Sequence, residues 1–285
     1  AIHFFGTQEQ KQRYLPPLCR GEQVSAGAFT EPNAGTDVSG IGTRAVKDGA
    51  DYVINGSKMF ITNGTVCDFY VVLAITHPEA AKKHERYSMI IVPRETAGVS
   101  SYKITGKMGI RASETSELIF TDMEVPRENL LGMEGEGLRM ALSAIDGGRI
   151  GIAAQAVGIA QAALDESIDY ARTRIQFGKP IGSLQAIQWH IAEMATRIEA
   201  SRLLTLNAAH IKKTGQRFGK HAAMAKLYAS ETAVYATNKA VHIHGGYGYM
   251  RDRPIERLYR DAKITEIYEG TTEAQKLVIS SSILR

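Results

Sequence analysis

The sequence predicts an α+β protein: an antiparallel β-barrel or sandwich, then an antiparallel helical bundle. Three observations carry this reading. Between about 23 and 125 the chain is a series of short, often β-branched runs separated by turn signals. After Pro126 the period changes, and Leu184, Ile187, Ile191, Met194 and Ile198 recur at steps of three and four. A block of strands followed by a block of long helices segregates into separate layers instead of alternating around a parallel sheet. The length of 285 residues is enough to bury a sizeable core and suggests about two domains.

Taken in order, residues 7–15 read as a short helix, opened by a Thr7/Gln10 capping box and stopped by Pro16-Pro17. Strands are expected at 24–30, 44–47, 52–55, 58–62, 69–75, 87–92 and 117–121. Asp48-Gly49, Asn55-Gly56 and Asn63-Gly64 supply turns between them. Residues 77–86, His-Pro and then mixed charge, read as a solvated loop. Helices follow at roughly 136–172, from Ser183 to near Gly215, at 220–243 and at 272–283. Thr272 and Gln275 form a capping box for the last of them.

Composition excludes several classes of function. Hydrophobic residues make up 44% and charged residues 22%, ordinary for a globular protein. The net charge of +4 comes from dispersed Lys and Arg, so no nucleic-acid footprint is expected, only a mild preference for small anions. Cys19 and Cys67 have neither zinc spacing nor a CxxC arrangement, and a reducing compartment fits them. Asn55-Gly56-Ser57 and Asn63-Gly64-Thr65 are either glycosylation acceptors of a secreted protein or the turns already named. The stretch from Ile150 to Leu164 is too short and too rich in Gly, Ala and Gln to span a bilayer, and no signal peptide is visible. The chain begins with Ala instead of Met, and a missing N-terminal segment is expected.

Familiar motifs are absent. Gly135-Glu136-Gly137 and Gly246-Tyr247-Gly248 each lack the third glycine of a dinucleotide fingerprint. No Walker A motif, HExxH or nucleophile-elbow serine occurs. His242 and His244 have no carboxylate or cysteine close by in sequence, so no metal site is expected.

What remains is a set of polar clusters at segment joints. The loop from Thr30 to Asp37 presents amides and hydroxyls suited to a polar ligand, or is a plain loop. Phe60-Ile61-Thr62 offers a flat ring beside a hydroxyl, or is an ordinary strand. Gly147 and Gly148, between Asp146 and Arg149, cost a helix about 2 kcal/mol relative to alanines and usually let a helix or a ligand approach closely. Arg174, Phe177-Gly178 and Gln185 mark the next helix junction. His242-Ile243-His244-Gly245-Gly246 ends a helix with glycines that expose N–H groups to a phosphate, or simply form its C-cap. Glu269 lies between Tyr268 and Gly270, after Ile264 and Ile267. In apolar surroundings its pKa is raised and it serves as a base near neutral pH; the alternative is a solvated loop glutamate.

Together these clusters resemble the acyl-CoA dehydrogenase family, in its order and spacing, along nearly the whole chain. The pieces are TEPNAGTD at 30–37, KMFITNG at 58–64, KMGIR at 107–111, DGGR at 146–149, RIQFGKPI at 174–181, HIHGGYG at 242–248 and YEGTT at 268–272. The resemblance implies three domains. Residues 1–20 would be the last helix and linker of an N-terminal helical domain, 21–128 the middle β domain and 129–285 a C-terminal four-helix bundle. It also implies FAD. Gly27, Ala28, Phe29, Thr30 and Thr36 would contact the flavin and its ribityl chain, with Thr36, where the family usually has Ser, also facing the acyl-CoA. Phe60 (often Trp in relatives), Ile61 and Thr62 would line the flavin ring. Arg174, Phe177, Gln185, His242, Ile243, His244, Gly245 and Gly246 would hold the diphosphate and adenosine half of a neighbouring subunit's FAD; the family more often has Gln at 242. Thr271, Thr272 and Glu273 would touch FAD again, while Asp146, Gly147, Gly148, Arg149, Tyr268 and Gly270 would contact substrate.

The implied reaction is α,β-dehydrogenation of an acyl-CoA to the trans-2-enoyl-CoA, with Glu269 as the base. Some family members carry the base near the DGGR position, but here Gly147 and Gly148 offer no carboxylate. The implied partners are an electron-transferring flavoprotein and further copies of the chain, as a homodimer or homotetramer. The implied place is bacterial cytoplasm or mitochondrial matrix. An acyl-CoA oxidase and a non-catalytic flavin- or CoA-binding scaffold are the alternatives. Oxygen consumption on adding acyl-CoA tests the first, and anaerobic flavin bleaching the second.

Overall fold

The computed structural model describes residues 1–284. Two compact units divide them: Ala1–Lys107 with Arg111–Ala144, and Met108–Ile110 with the residues from Ile145 onward.

The first unit opens with α1 (Ile2–Phe5) and α2 (Gln8–Arg20). Thr7 caps α2 as expected: its hydroxyl accepts from the Gln10 N–H, and its own N–H donates back to the Gln10 side chain, both at 3.1 Å. Pro16 and Pro17 do not stop this helix; they lie inside it. Each removes one N–H, but Tyr14 packs the turn before them on Phe69 at 4.6 Å, and Gly21, left-handed at φ 70°, closes the final turn by directing its N–H to the Leu18 and Pro17 carbonyls.

Eight strands follow: β1 (Ser25–Ala28), β2 (Arg44–Asp48), β3 (Asp51–Thr62), β4 (Phe69–Ile75), β5 (Tyr87–Pro93), β6 (Val99–Lys103), β7 (Thr115–Pro126) and β8 (Leu130–Leu131). They form one sheet in the order β6-β7-β3-β2-β4-β5-β8, with β1 also on β4. Most neighbours are antiparallel as expected, but β1 and β2 run parallel to β4, so the sheet is mixed. The unbroken apolar run of β4 is explained by burial on both faces. Tyr70, Val72 and Ala74 enter one apolar cluster, and Phe69, Val71 and Leu73 enter another together with Ile2, Tyr14 and Met140. Asn55-Gly56 is not a turn. β3 runs through it with a register shift between Ile54 and Gly56, where φ is +150° and a Cβ would stand 2.5 Å from the Thr43 hydroxyl. β6 escaped the sequence reading because it is a polar, exposed strand at the sheet's edge.

The second unit takes up α3 (Gly137–Thr173) from Ile145 on. A short hairpin of β9 (Ile175–Gln176) and β10 (Lys179–Pro180) leads to α4 (Gln185–Lys213), α5 (Gly219–His244), α6 (Ile255–Lys263) and α7 (Thr272–Ile283). Asp146-Gly147-Gly148-Arg149 does not interrupt α3, which passes through it as helix. Ala153, Ala156, Ala160 and Ala163 of α3 meet Ala225, Ala229, Ala233, Ala236 and Ala240 of α5 in one core, where small side chains let helix backbones come close. α6 was not expected. Met108–Ile110 lie against it: the Ile110 N–H donates to Asp261 at 2.6 Å, Arg260 donates to the Met108 carbonyl, and a Cβ on Gly109 would strike the Arg260 backbone. The α7 cap is Thr271, which accepts from the Ala274 N–H at 3.3 Å, one residue earlier than the expected Thr272/Gln275 box. Among the described residues no helix is long and apolar enough to cross a membrane.

Candidate active site

In the first unit, the polar loop after β1 is built around a buried lysine. Lys58 of β3 is fully buried and donates to the Phe29 carbonyl at 3.1 Å, to Glu31 at 2.9 Å and to the Leu73 carbonyl at 2.7 Å. The Glu31 carboxylate also accepts from the Gly42 and Thr43 N–H groups. Burial pushes Glu31 up, but Lys58 and these donors outweigh it and hold the carboxyl below its usual range. Burial likewise pushes Lys58 down to about 8 against the pull of Glu31. The backbone of 29–31 is therefore clamped, while Thr36 stays exposed beyond it. Along β3 the alternation turns Phe60 and Thr62 outward and Ile61 into the core. Phe60 is 64% exposed at φ +60°, a large ring held out of the sheet in a conformation few non-glycine residues adopt. Of the other expected residues, Gly27 is exposed, Phe29 and Thr30 are half-buried, and the Ala28 side chain lies in the core.

The second unit brings Glu269 against DGGR. Its carboxylate lies on the Gly148 face of α3, where a Cβ would stand 2.5 Å from Glu269 Oε2. A side chain at 148 would displace that carboxylate. Arg149 is 6% exposed; it pairs with Asp146 at 2.5 Å and directs Nε toward the Glu269 carbonyl at 3.5 Å. Glu269 and Gly270 are both left-handed, at φ +53° and +90°. Two donors fix this bend from the Gly270 carbonyl: Lys226 of α5 at 2.7 Å and Gln275 of α7 at 2.8 Å. The Glu269 N–H donates to no group among the described residues. Burial pushes the Glu269 carboxyl up, and the Arg149 and Lys226 cations oppose this only in part. The expected apolar lining is only partly there, because Ile267 is 51% exposed; the desolvation comes from the packed α3 and α5 faces. The Tyr268 hydroxyl donates to Gln155 of α3. Thr271 caps α7, Thr272 donates to the Glu266 carbonyl at 3.4 Å, and Glu273 is exposed.

A cavity of about 440 Å³ opens at the end of α5. Of the residues expected there, Arg174, Ile243, His244, Gly245 and Gly246 line it, while Phe177, Gln185 and His242 are exposed outside its lining. His244 is 2% exposed and stacks on Tyr170 at 4.3 Å. Its Nδ1 lies 2.8 Å from the Ala240 carbonyl, which can only accept, so Nδ1 carries the hydrogen. Burial lowers the ring's pKa, and Nε2 is left as a buried acceptor with no partner among the described residues. Tyr170, Gln176 and Tyr247 were missed as lining residues, as were Lys226 and Gln275 at the loop.

Comparison with known proteins identifies the family. The C-terminal domain of acyl-CoA dehydrogenase matches residues 135–284, and the middle domain matches residues 26–123. The chain belongs to the acyl-CoA dehydrogenase family. The acryloyl-CoA reductase (NADH) of Anaerotignum propionicum is 52% identical over 287 residues, covering 100% of this chain and 72% of that protein. The butyryl-CoA dehydrogenase structure from Megasphaera elsdenii is 47% identical with a TM-score of 0.97, covering 100% of this chain and 74% of that one. A chain in the structure of the electron transferring flavoprotein of Acidaminococcus fermentans is 50% identical with a TM-score of 0.97, covering 100% of this chain and 74% of that chain.

FAD is the cofactor of the acyl-CoA dehydrogenase family. The residues here fit its parts. The exposed Phe60 ring beside Thr62 suits a flat ring system. Arg174 and the glycines at 245 and 246 suit a diphosphate, and the open Nε2 acceptor of His244 suits a ribose hydroxyl or an adenine amine better than a phosphate.

Proposed function

We propose that this protein is an FAD-dependent dehydrogenase of short-chain acyl-CoA thioesters, forming the trans-2-enoyl-CoA, with Glu269 as the base. The observation that carries the reading is a desolvated carboxylate fixed by a left-handed bend over Gly148, beside an unpaired N–H of its own backbone. A buried carboxyl with a raised pKa is a stronger base, and its N–H can donate to a thioester carbonyl as the α-proton leaves. Arg149 and Gln275 act through the Glu269 and Gly270 carbonyls to keep that geometry. Tyr268 and Gly270 would contact the substrate, and Asp146 to Arg149 its CoA portion. Phe60, Ile61 and Thr62, with the 27–30 backbone and Thr36, would hold the flavin ring. Thr271–Glu273 would touch it again, and Arg174, Gln185 and His242 to Gly246 would hold the diphosphate and adenosine of a neighbouring subunit's FAD. Bound FAD supplies the hydride acceptor for the β-hydrogen. Similarity to a chain in an electron transferring flavoprotein structure supports such a flavoprotein as redox partner, and similarity to butyryl-CoA dehydrogenase supports a four-carbon substrate. Further copies of the chain, as dimer or tetramer, complete the proposal.

Similarity to an acryloyl-CoA reductase favours a second reading, the same chemistry run toward the saturated thioester with a protonated Glu269 giving the α-proton. Anaerobic assays that offer butyryl-CoA to the oxidised flavin, and acryloyl-CoA to flavin reduced beforehand with dithionite, compare the two directions. The base itself is tested by Glu269→Gln in the FAD-loaded protein. Flavin bleaching by butyryl-CoA is expected to slow at least about 100-fold with acyl-CoA affinity nearly unchanged. Bleaching at the parent rate would remove Glu269 from the role.

A further inference from the structure

We infer that Lys226 is a positioning residue for Glu269: its ammonium pins the Gly270 carbonyl and sets the charge that the neighbouring carboxylate feels. The inference rests on Glu269 being the base. Lys226 lies in the middle of α5 and is fully buried. The one hydrogen bond of its ammonium among the described residues goes to the Gly270 carbonyl at 2.7 Å, 44 residues away. A lysine is an expensive way to satisfy one carbonyl, because Gln275 already donates to the same oxygen at 2.8 Å. A second donor that is also a cation makes sense where charge is wanted. The left-handed pair Glu269-Gly270 adds a mechanical reason, since such a bend persists only where its surroundings hold it.

The electrostatic surroundings agree. Burial and Arg149 push the Lys226 ammonium down to about 8, while Glu266, Glu269 and Glu273 pull it back. Arg149 of α3, itself paired with Asp146, is the other cation that favours an ionised Glu269. Glu266 is paired with Lys263 at 2.6 Å, and Glu273 is exposed in the first turn of α7, which leaves the half-buried Glu269 as the unpaired carboxylate on which Lys226 acts.

Two variants separate anchor from charge. Lys226→Met removes both, and Lys226→Gln removes the charge while keeping an amide donor. The ¹³C carboxyl resonance of Glu269, assigned by its loss in Glu269→Gln, reports that residue's titration without any need for FAD. Loss of a nearby cation disfavours the carboxylate, so the midpoint should rise by about one unit in both variants. The rising limb of flavin reduction against pH should move up with it. Reduction by butyryl-CoA near pH 7 should fall about tenfold in Lys226→Met and less in Lys226→Gln, with acyl-CoA affinity and melting temperature moving little in Lys226→Gln. A Glu269 midpoint and pH profile unmoved in either folded variant, while Glu269→Gln is inactive, overturn the role of Lys226 and leave the base intact. Full activity in Glu269→Gln overturns both.

Discussion

Each unit holds one fully buried lysine against the backbone of a polar loop, but the two are neutralised differently. Lys58 has a carboxylate on it at 2.9 Å and two carbonyls besides, so its charge is matched where it sits. Lys226 has one carbonyl, and the carboxylates that balance it act from farther off. The first arrangement is a clamp: a paired, desolvated charge with every donor used loses its hold as soon as either partner goes. The second leaves field to spare, and the half-buried, desolvated Glu269 is the group able to feel it. Equal burial and an equal shift to about 8 thus accompany two different duties.

The comparison breaks most visibly at Lys58. Lys58→Met would strand Glu31 among its two N–H donors, and loss of about 3 kcal/mol in urea unfolding is expected. A loss below roughly 1 kcal/mol would show that the pair is not a clamp. The same change at 226 should cost less stability, since Gln275 still serves the Gly270 carbonyl.

Gly148→Ala sharpens the other side. The new methyl would meet the far end of a flexible side chain, so the fold gives and the carboxylate moves. Flavin reduction is expected to fall about tenfold, as for a displaced reacting group, while alanine's better helix propensity leaves the melting temperature equal or higher. A parent-like rate would mean that Glu269 reaches its working position without resting on Gly148.

The smallest effect is on stability at Glu269 itself. Its folded pKa is raised, so the protonated form's stability is fully present below the ordinary glutamate range and is lost as pH rises through the folded value. Glu269→Gln removes that loss. Its melting temperature should exceed the parent's by a few degrees at pH 8, and the gap should close near pH 4. An unchanged gap between those two values would show that the carboxyl is not desolvated.

Much of this was legible in the sequence, for identifiable reasons. β4 and α7 match their expected ends because an apolar run and a threonine-led cap are strong local signals. β3 was cut at Asn55-Gly56 because the dipeptide that makes a hairpin turn also makes a bulge, and only the crowding by Thr43 decides between them. Proline inside α2 reads as a stop because the Gly21 cap that closes the helix lies beyond it, and the contact of Tyr14 with Phe69 is far apart in the chain. Glu269 was reached through resemblance; from the residues alone it was a loop glutamate like others. Its anchors were invisible because they come from α3, α5 and α7, far apart in the chain. One clue was available: Lys226 stands in the helical stripe of Ala222, Ala225, Ala229 and Ala233, where a lysine has no place unless it is paired inside.

The empty face of Gly148 has a consequence for how such chains are read. The carboxylate over that glycine fills a volume that a side chain growing from position 148 would otherwise occupy. The helix and the loop are thus two addresses for one place in space, and a single chain can use only one of them. On the proposed reading, where a sequence keeps a small residue at the helix address, the loop delivers the acid. Where it loses the loop acid, the helix has the room to supply it.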